Sequence, residues 1–192
     1  MILGYKEINN FLKENNLIDY KHHSAVNVYD NLKKAVEYLK PEIVLEIGTF
    51  NGLSTAILAN LCSFVFTVDI AYRPETQVVW DHFNLLDKIN YSIFKDREEI
   101  GKFIKKIQYD FVYIDANHKY EEVKADYEMI KDCNSILFHD YHLDGVRQLI
   151  NEIDGQPLAE FAYKGTQQVK GHYKMEWKTD PLFLGKILEN NY

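Results

Sequence analysis

Val44-Leu45-Glu46-Ile47-Gly48-Thr49-Phe50-Asn51-Gly52-Leu53-Ser54-Thr55 runs from an apolar stretch through a glutamate and two glycines four apart into hydroxyl residues. A short Val/Leu/Ile run that breaks at glycine and resumes with helical spacing predicts a parallel strand feeding its crossover helix. A loop that cradles a pyrophosphate reads GxGxxG, because backbone N–H groups at the helix N-terminus must meet an anion. Here the order is ExGxxxG, with Glu46, Gly48 and Gly52. The glycines keep close backbone approach to a ligand, whereas a carboxylate at the loop mouth selects an ammonium or sulfonium group over a phosphate.

Working outward, Val, Ile and Phe-rich runs at 43–45, 63–68, 89–94, 111–114 and 135–138 alternate with helix-like segments. The runs lack strict in/out alternation, as strands covered on both faces do. The pattern predicts an α/β fold: a Rossmann-like, doubly wound, mostly parallel sheet. Upstream, Ile8, Phe11 and Leu12, then Val26, Tyr29, Leu32, Val36 and Leu39, repeat at helical spacing until Pro41. Downstream, a further helix is expected around Val146 to Ile153, then a C-terminal antiparallel hairpin from runs at 158–163 and 169–177 joined at Gly165. No repeat or linker divides the chain, so residues 1–192 read as one domain, with a helical cap over 1–40 and the core over 41–192.

The totals narrow the function classes. Lys and Arg number 22 against 29 Asp and Glu, giving a net charge of -7 that opposes nucleic-acid backbones. Cys62 and Cys133 show no metal-binding spacing, which fits a reducing, cytoplasmic compartment. No apolar run is long enough for a membrane span. The expected partner is a small molecule, and the N-terminal helices and hairpin are candidates for a homodimer surface.

Open parallel sheets bind ligands beyond the carboxyl ends of their strands. Four of the five runs end in an acid, namely Glu46, Asp69, Asp115 and Asp140. Turn chemistry alone also favours Asp there. Asp69 ends the run after Glu46, where an acid accepts ribose hydroxyls. An adenosyl ligand with a cationic amino-acid tail meets both demands. That ligand is S-adenosylmethionine (SAM).

Residues 46–54 resemble motif I of the class I SAM-dependent methyltransferases, and Asp69 stands where that superfamily keeps its ribose-binding acid. Residues 109–150, with Asp115-x-x-His118-x-Tyr120 and His139-Asp140, resemble the branch of catechol-type and macrocin-type O-methyltransferases and cephalosporin hydroxylase relatives. The similarity spans roughly residues 41–153. It implies SAM contacts from Glu46, Gly48, Thr49, Gly52, Ser54, Asp69, Asp96 and Asp115, and transfer to a hydroxyl of a sugar or other small metabolite. It also implies a metal site at Asp115, His139 and Asp140, with His118 as general base beside Asp115. His139 stands where related enzymes carry Glu, and Tyr141 where catechol-type enzymes carry Asn. Oxygen ligands suit Mg2+, whereas an imidazole in the set favours a transition metal or none.

A histidine with pKa near 6.5 suits proton removal from a hydroxyl at neutral pH. Each site residue also has a structural reading. Asp115 and Asp140 are equally read as loop or capping groups, His118 and His139 as structural braces, and Asp96 as a helix N-cap. Tyr72, Arg73 and Trp80 lie near the cofactor mouth, as pocket lining or as packing. Two rival functions remain: a SAM- or metal-binding module without turnover, and a nicotinamide-dependent oxidoreductase.

Overall fold

The computed structural model describes residues 5–15, 17, 26–133, 135–141, 143–153 and 183–185. Two helices, α1 (Tyr5–Glu14) and α2 (Val26–Leu39), precede the first strand, β1 (Ile43–Ile47). Strand and helix then alternate as α3 (Leu53–Leu61), β2 (Phe64–Asp69), α4 (Pro74–His82), a 3-10 turn at Leu86–Lys88, β3 (Ile89–Ile93) and α5 (Arg97–Ile104). The chain continues through β4 (Phe111–Ile114), α6 (Tyr120–Ile130), β5 (Ile136–Phe138), α7 (Asp144–Glu152) and β6 (Phe183–Gly185). The sheet order is β3-β2-β1-β4-β5-β6, parallel except for β6, which runs antiparallel to β5. The chain reverses direction across the sheet between β1 and β4, the switch point at which such sheets open a crevice.

The predicted helices and all five parallel strands are present. The antiparallel finish is a strand at Phe183–Gly185, which the sequence pattern did not assign. The expected hairpin at 158–163 and 169–177 lies outside the described residues.

Strand alternation divides the core in two. Val44, Val65, Phe111, Tyr113 and Leu137 pack against α1 to α4 with Leu12, Leu32, Ile57 and Trp80. Leu45, Ile47, Val68, Val112, Ile114 and Phe138 pack against α5 to α7 with Ile100, Val123 and Leu149. Sheet strands buried on both faces leave only their ends for chemistry.

Candidate active site at the carboxyl ends of the strands

Glu46 does not stand at a loop mouth. It lies inside β1, fully buried, on the face that packs against α3. Its carboxylate accepts hydrogen bonds from Ser54 Oγ at 2.5 Å, Thr55 Oγ1 at 2.5 Å and Thr67 Oγ1 at 2.7 Å. Burial pushes its pKa from 4.5 up to about 7 even though the three hydroxyl donors pull it down. The error was one of strand length: β1 extends through Ile47, so position 46 alternates inward beside Val44. Glu46 and Ser54, both expected on the cofactor, instead tie α3 to β1 and β2.

The glycine loop is shaped from below by Asp69. Its Oδ2 accepts the backbone N–H groups of Thr49 and Phe50, each at 3.0 Å. Its Oδ1 accepts those of Ile70 at 2.7 Å and Ala71 at 3.1 Å. A carboxylate offers about four lone-pair sites, so the backbone takes Asp69's full accepting capacity. Thr49 is buried, with its hydroxyl 2.7 Å from that of Thr67. Gly48 has φ +98, and a Cβ there would fall 2.1 Å from the carbonyl oxygen of Asp115. Only glycine allows β1 and β4 to close at their ends. Gly52 has φ +74 and faces the Trp80 indole, whose Nε1 donates to the Gly52 carbonyl at 2.9 Å. Trp80 is therefore packing, whereas Tyr72 is exposed at the rim. Asp96 is an exposed N-cap of α5, accepting Glu99 N–H at 3.1 Å while Lys95 N–H donates back to Glu99 at 3.0 Å.

Asp115, His118, His139 and Asp140 converge beside this loop. Asp115 follows β4, His118 the same loop, and His139 and Asp140 follow β5. One ligand atom from each lies within 4.8 Å of the others, the sole such group of His, Cys, Asp and Glu among the described residues. His118 Nε2 is 2.8 Å from Asp140 Oδ2 and 3.7 Å from Asp115 Oδ1. His139 Nδ1 is 3.0 Å from Asp115 Oδ1 and 3.2 Å from Asp140 Oδ2. Despite these approaches, neither nitrogen completes a hydrogen bond of good geometry, and both are shut off from solvent. Asp140 reaches the cluster from a left-handed backbone, φ 54, which an aspartate tolerates. Tyr113 hydroxyl, 3.3 Å from Asp115 Oδ2, donates from the strand below. Tyr141 contributes to the apolar packing.

Mutual charge sets the protonation. The facing carboxylates of Asp115 and then Asp140 raise His118 to about 9. Burial lowers His139, but Asp115 and Asp140 outweigh it and raise the pKa to about 10. Burial likewise raises Asp115, and His139 and His118 outweigh it to bring the pKa to about 2; the same opposition holds Asp140 well below the carboxylate range. At neutral pH the cluster is two imidazolium groups between two carboxylates. To act as a base, His118 would first have to release the proton that Asp115 and Asp140 favour.

Sequence reasoning missed Thr55, Thr67, Tyr113 and Gly145. A Cβ on Gly145, in the first turn of α7, would fall 2.3 Å from the His118 carbonyl oxygen, so this glycine lets α7 brace the His118 loop. Thr67 was visible as a hydroxyl inside an apolar run; the others have no signal without the fold.

A family model described as a methyltransferase domain matches residues 45–141, half of the chain. The chain belongs to this family. Among solved structures, the methyltransferase domain resembles the O-methyltransferase from Bacillus cereus in complex with SAH, at 18% identity and TM-score 0.64 over 94% of this chain and 88% of that one. It also resembles the O-methyltransferase TomG from Streptomyces achromogenes, involved in tomaymycin synthesis and in complex with SAM, at 14% identity and TM-score 0.65 over 95% and 88%. At such identity the likeness is one of fold, and the fold is that of the class I SAM-dependent methyltransferases. No curated protein matches the sequence. Among the described residues no helix is long and apolar enough to cross a membrane.

Proposed function

We propose that this methyltransferase domain transfers the methyl group of SAM to a hydroxyl of a small molecule, with metal assistance at the Asp115–His118–His139–Asp140 cluster. The observation that carries the reading is this convergence of N and O ligand atoms within 4.8 Å, next to the glycine loop. The two imidazole nitrogens, closed off from solvent and facing carboxylates without completing hydrogen bonds, become ligand positions for a cation once their protons are displaced. A mixed set of two carboxylates and the His139 imidazole matches a divalent transition ion more closely than Mg2+. Asp115, His139 and Asp140 would hold the ion, which would polarise the acceptor hydroxyl and displace the protons that the imidazoles otherwise keep.

The chain's own groups supply alignment and proton acceptance. Gly48 and Gly52 let the loop close onto the Asp115 backbone and the Trp80 indole, and Thr49 N–H and Phe50 N–H fix it through Asp69, where the adenosyl ligand would lie. His118, half-buried beside Asp140, would take the hydroxyl proton after giving its own to solvent. Orientation of two bound reactants supplies on the order of 7 to 11 kcal/mol in favourable cases. Asp69 would meet a ribose by exchanging one of its backbone N–H donors for a hydroxyl.

Turnover of SAM with a panel of hydroxylated acceptors tests the reading, run with chelator and then with Mn2+, Zn2+ or Mg2+ restored. Methylation lost to chelator and recovered with a transition ion supports it. SAM binding with no turnover under any condition points instead to a binding module, a reading favoured by the protonated state of His118. Methylation indifferent to chelator removes the metal.

A further inference from the structure

Among the described residues Arg73, at the rim of this cleft, has no ion pair. It occupies the N-cap position of α4, four residues after Asp69. Its guanidinium carbon lies 4.5 Å from the centroid of the Phe50 ring. Its Nε is closed off from solvent and makes no hydrogen bond. A cation over an exposed ring gains little, whereas a buried donor left without a partner is costly. The pair is therefore better satisfied with a ligand than without one.

Both members are held by their backbones. Arg73 N–H donates to the Tyr91 hydroxyl at 3.2 Å, and the Arg73 carbonyl accepts from Thr76 Oγ1 at 2.7 Å. Tyr91 is stacked with Tyr72 at 6.0 Å and meets Trp80 edge-on at 5.2 Å. Phe50 takes a left-handed backbone, φ 45, which a bulky residue rarely adopts, and its N–H is pinned to Asp69. The rim is continuous with the acid–imidazole cluster, because Phe50 lies two residues from Gly48, which touches the Asp115 backbone. Elsewhere along this rim the acids are Asp69, Asp115 and Asp140. Asp115 and Asp140 are already set against His118 and His139, whereas Arg73 has no ion pair among the described residues, so an anionic ligand group meets an uncompensated positive charge at Arg73.

We propose that Arg73, with Phe50 beneath it, receives the carboxylate or phosphate of an acidic acceptor whose hydroxyl lies at the His118 end. The proposal deepens the reading above and rests on the cleft holding SAM with a hydroxylated acceptor. SAM carries a carboxylate of its own. A carboxylate on the cofactor is told apart from one on the acceptor by comparing SAH with 5′-methylthioadenosine.

The Nε–Hε resonance of Arg73, assigned by its loss in Arg73→Lys, reads binding directly. Titrating the SAH-loaded protein with inorganic phosphate and with benzoate should give a saturating shift. Absence of a shift with both anions overturns the proposal. A shift produced by SAH alone and not by 5′-methylthioadenosine, which lacks the carboxylate, assigns the anion to the cofactor and overturns it also. In turnover, acceptors compared as acid and amide pairs should show KM for the acid rising about tenfold or more in Arg73→Gln, with kcat and SAH affinity kept. Equal use of acid and amide by the unaltered protein refutes the assignment. Failure of the underlying reading is separate: calorimetry then finds no SAM or SAH binding, while phosphate titration of the unliganded protein still decides whether Arg73 receives an anion.

Discussion

His118 and Glu46 show how far a residue's neighbours move its chemistry from its textual appearance. His118 was legible as a functional group from its place three residues beyond Asp115, but its protonation was not, because the Asp140 contact at 2.8 Å comes from another strand end. If His118 removes the acceptor proton, His118→Asn should lower kcat by about 10²- to 10⁴-fold with SAH affinity unchanged by calorimetry. A smaller loss removes it from proton transfer. Glu46 makes a different prediction. Its folded pKa, about 7, lies above the 4.5 of an ordinary glutamate, so its contribution to stability is full below 4.5 and is lost as pH rises through 7. The loss amounts to about 3 kcal/mol. The cluster histidines, raised to about 9 and 10, add a second decline between 6.5 and those values in metal-free protein. Melting temperature should accordingly fall with pH in two stages, and Glu46→Gln should flatten the first only. A melting curve unchanged between pH 4.5 and 7 contradicts the burial of an ionisable Glu46.

At the level of elements, the helices and parallel strands were readable because their apolar periods are long and their breaks fall at Pro or Gly. Boundaries were less so. Extending β1 by two residues turned Glu46 from a mouth residue into a core residue, since side chains alternate along a strand. Contacts between helices left no trace in the sequence. Arg97, at the start of α5, reaches across to α6, donating from Nε to Asp126 at 2.6 Å and pairing with Glu122. Asp126 has only 2% of its side chain exposed, and burial raises its pKa against the pull of Arg97. Arg97→Met should therefore cost about 3 kcal/mol in chemical denaturation, by stranding a buried carboxylate, and Asp126→Leu in the same chain should recover most of it. A loss that Asp126→Leu fails to recover places the stabilisation in Arg97 packing instead.

For the whole molecule, the decisive evidence in the sequence was the alternation of strands and helices together with acids at the strand ends. The physical basis is that a doubly covered sheet has nowhere but its ends to present charge. What the sequence hid was the pairing of those acids with imidazoles, a property of strand order rather than of spacing. A ligand that binds only the folded chain stabilises it by about 2.7 kcal/mol at a hundred times its Kd, which for a chain of this size raises the melting temperature by about 5–10 °C. SAH should produce such a shift, and NAD should not. The opposite ranking would return the cleft to the dinucleotides.

The strand order also bears on how the chain is made. β1 is central, yet its partner β4 begins at Phe111, about 64 residues after β1 ends at Ile47. At about 5–20 residues per second, a ribosome leaves one edge of β1 bare for roughly 3 to 13 seconds. During that interval an apolar template awaits any strand that arrives first. Nascent chains stalled before residue 111 should be captured by chaperones or aggregate, and those stalled after β4 has cleared the exit tunnel should not.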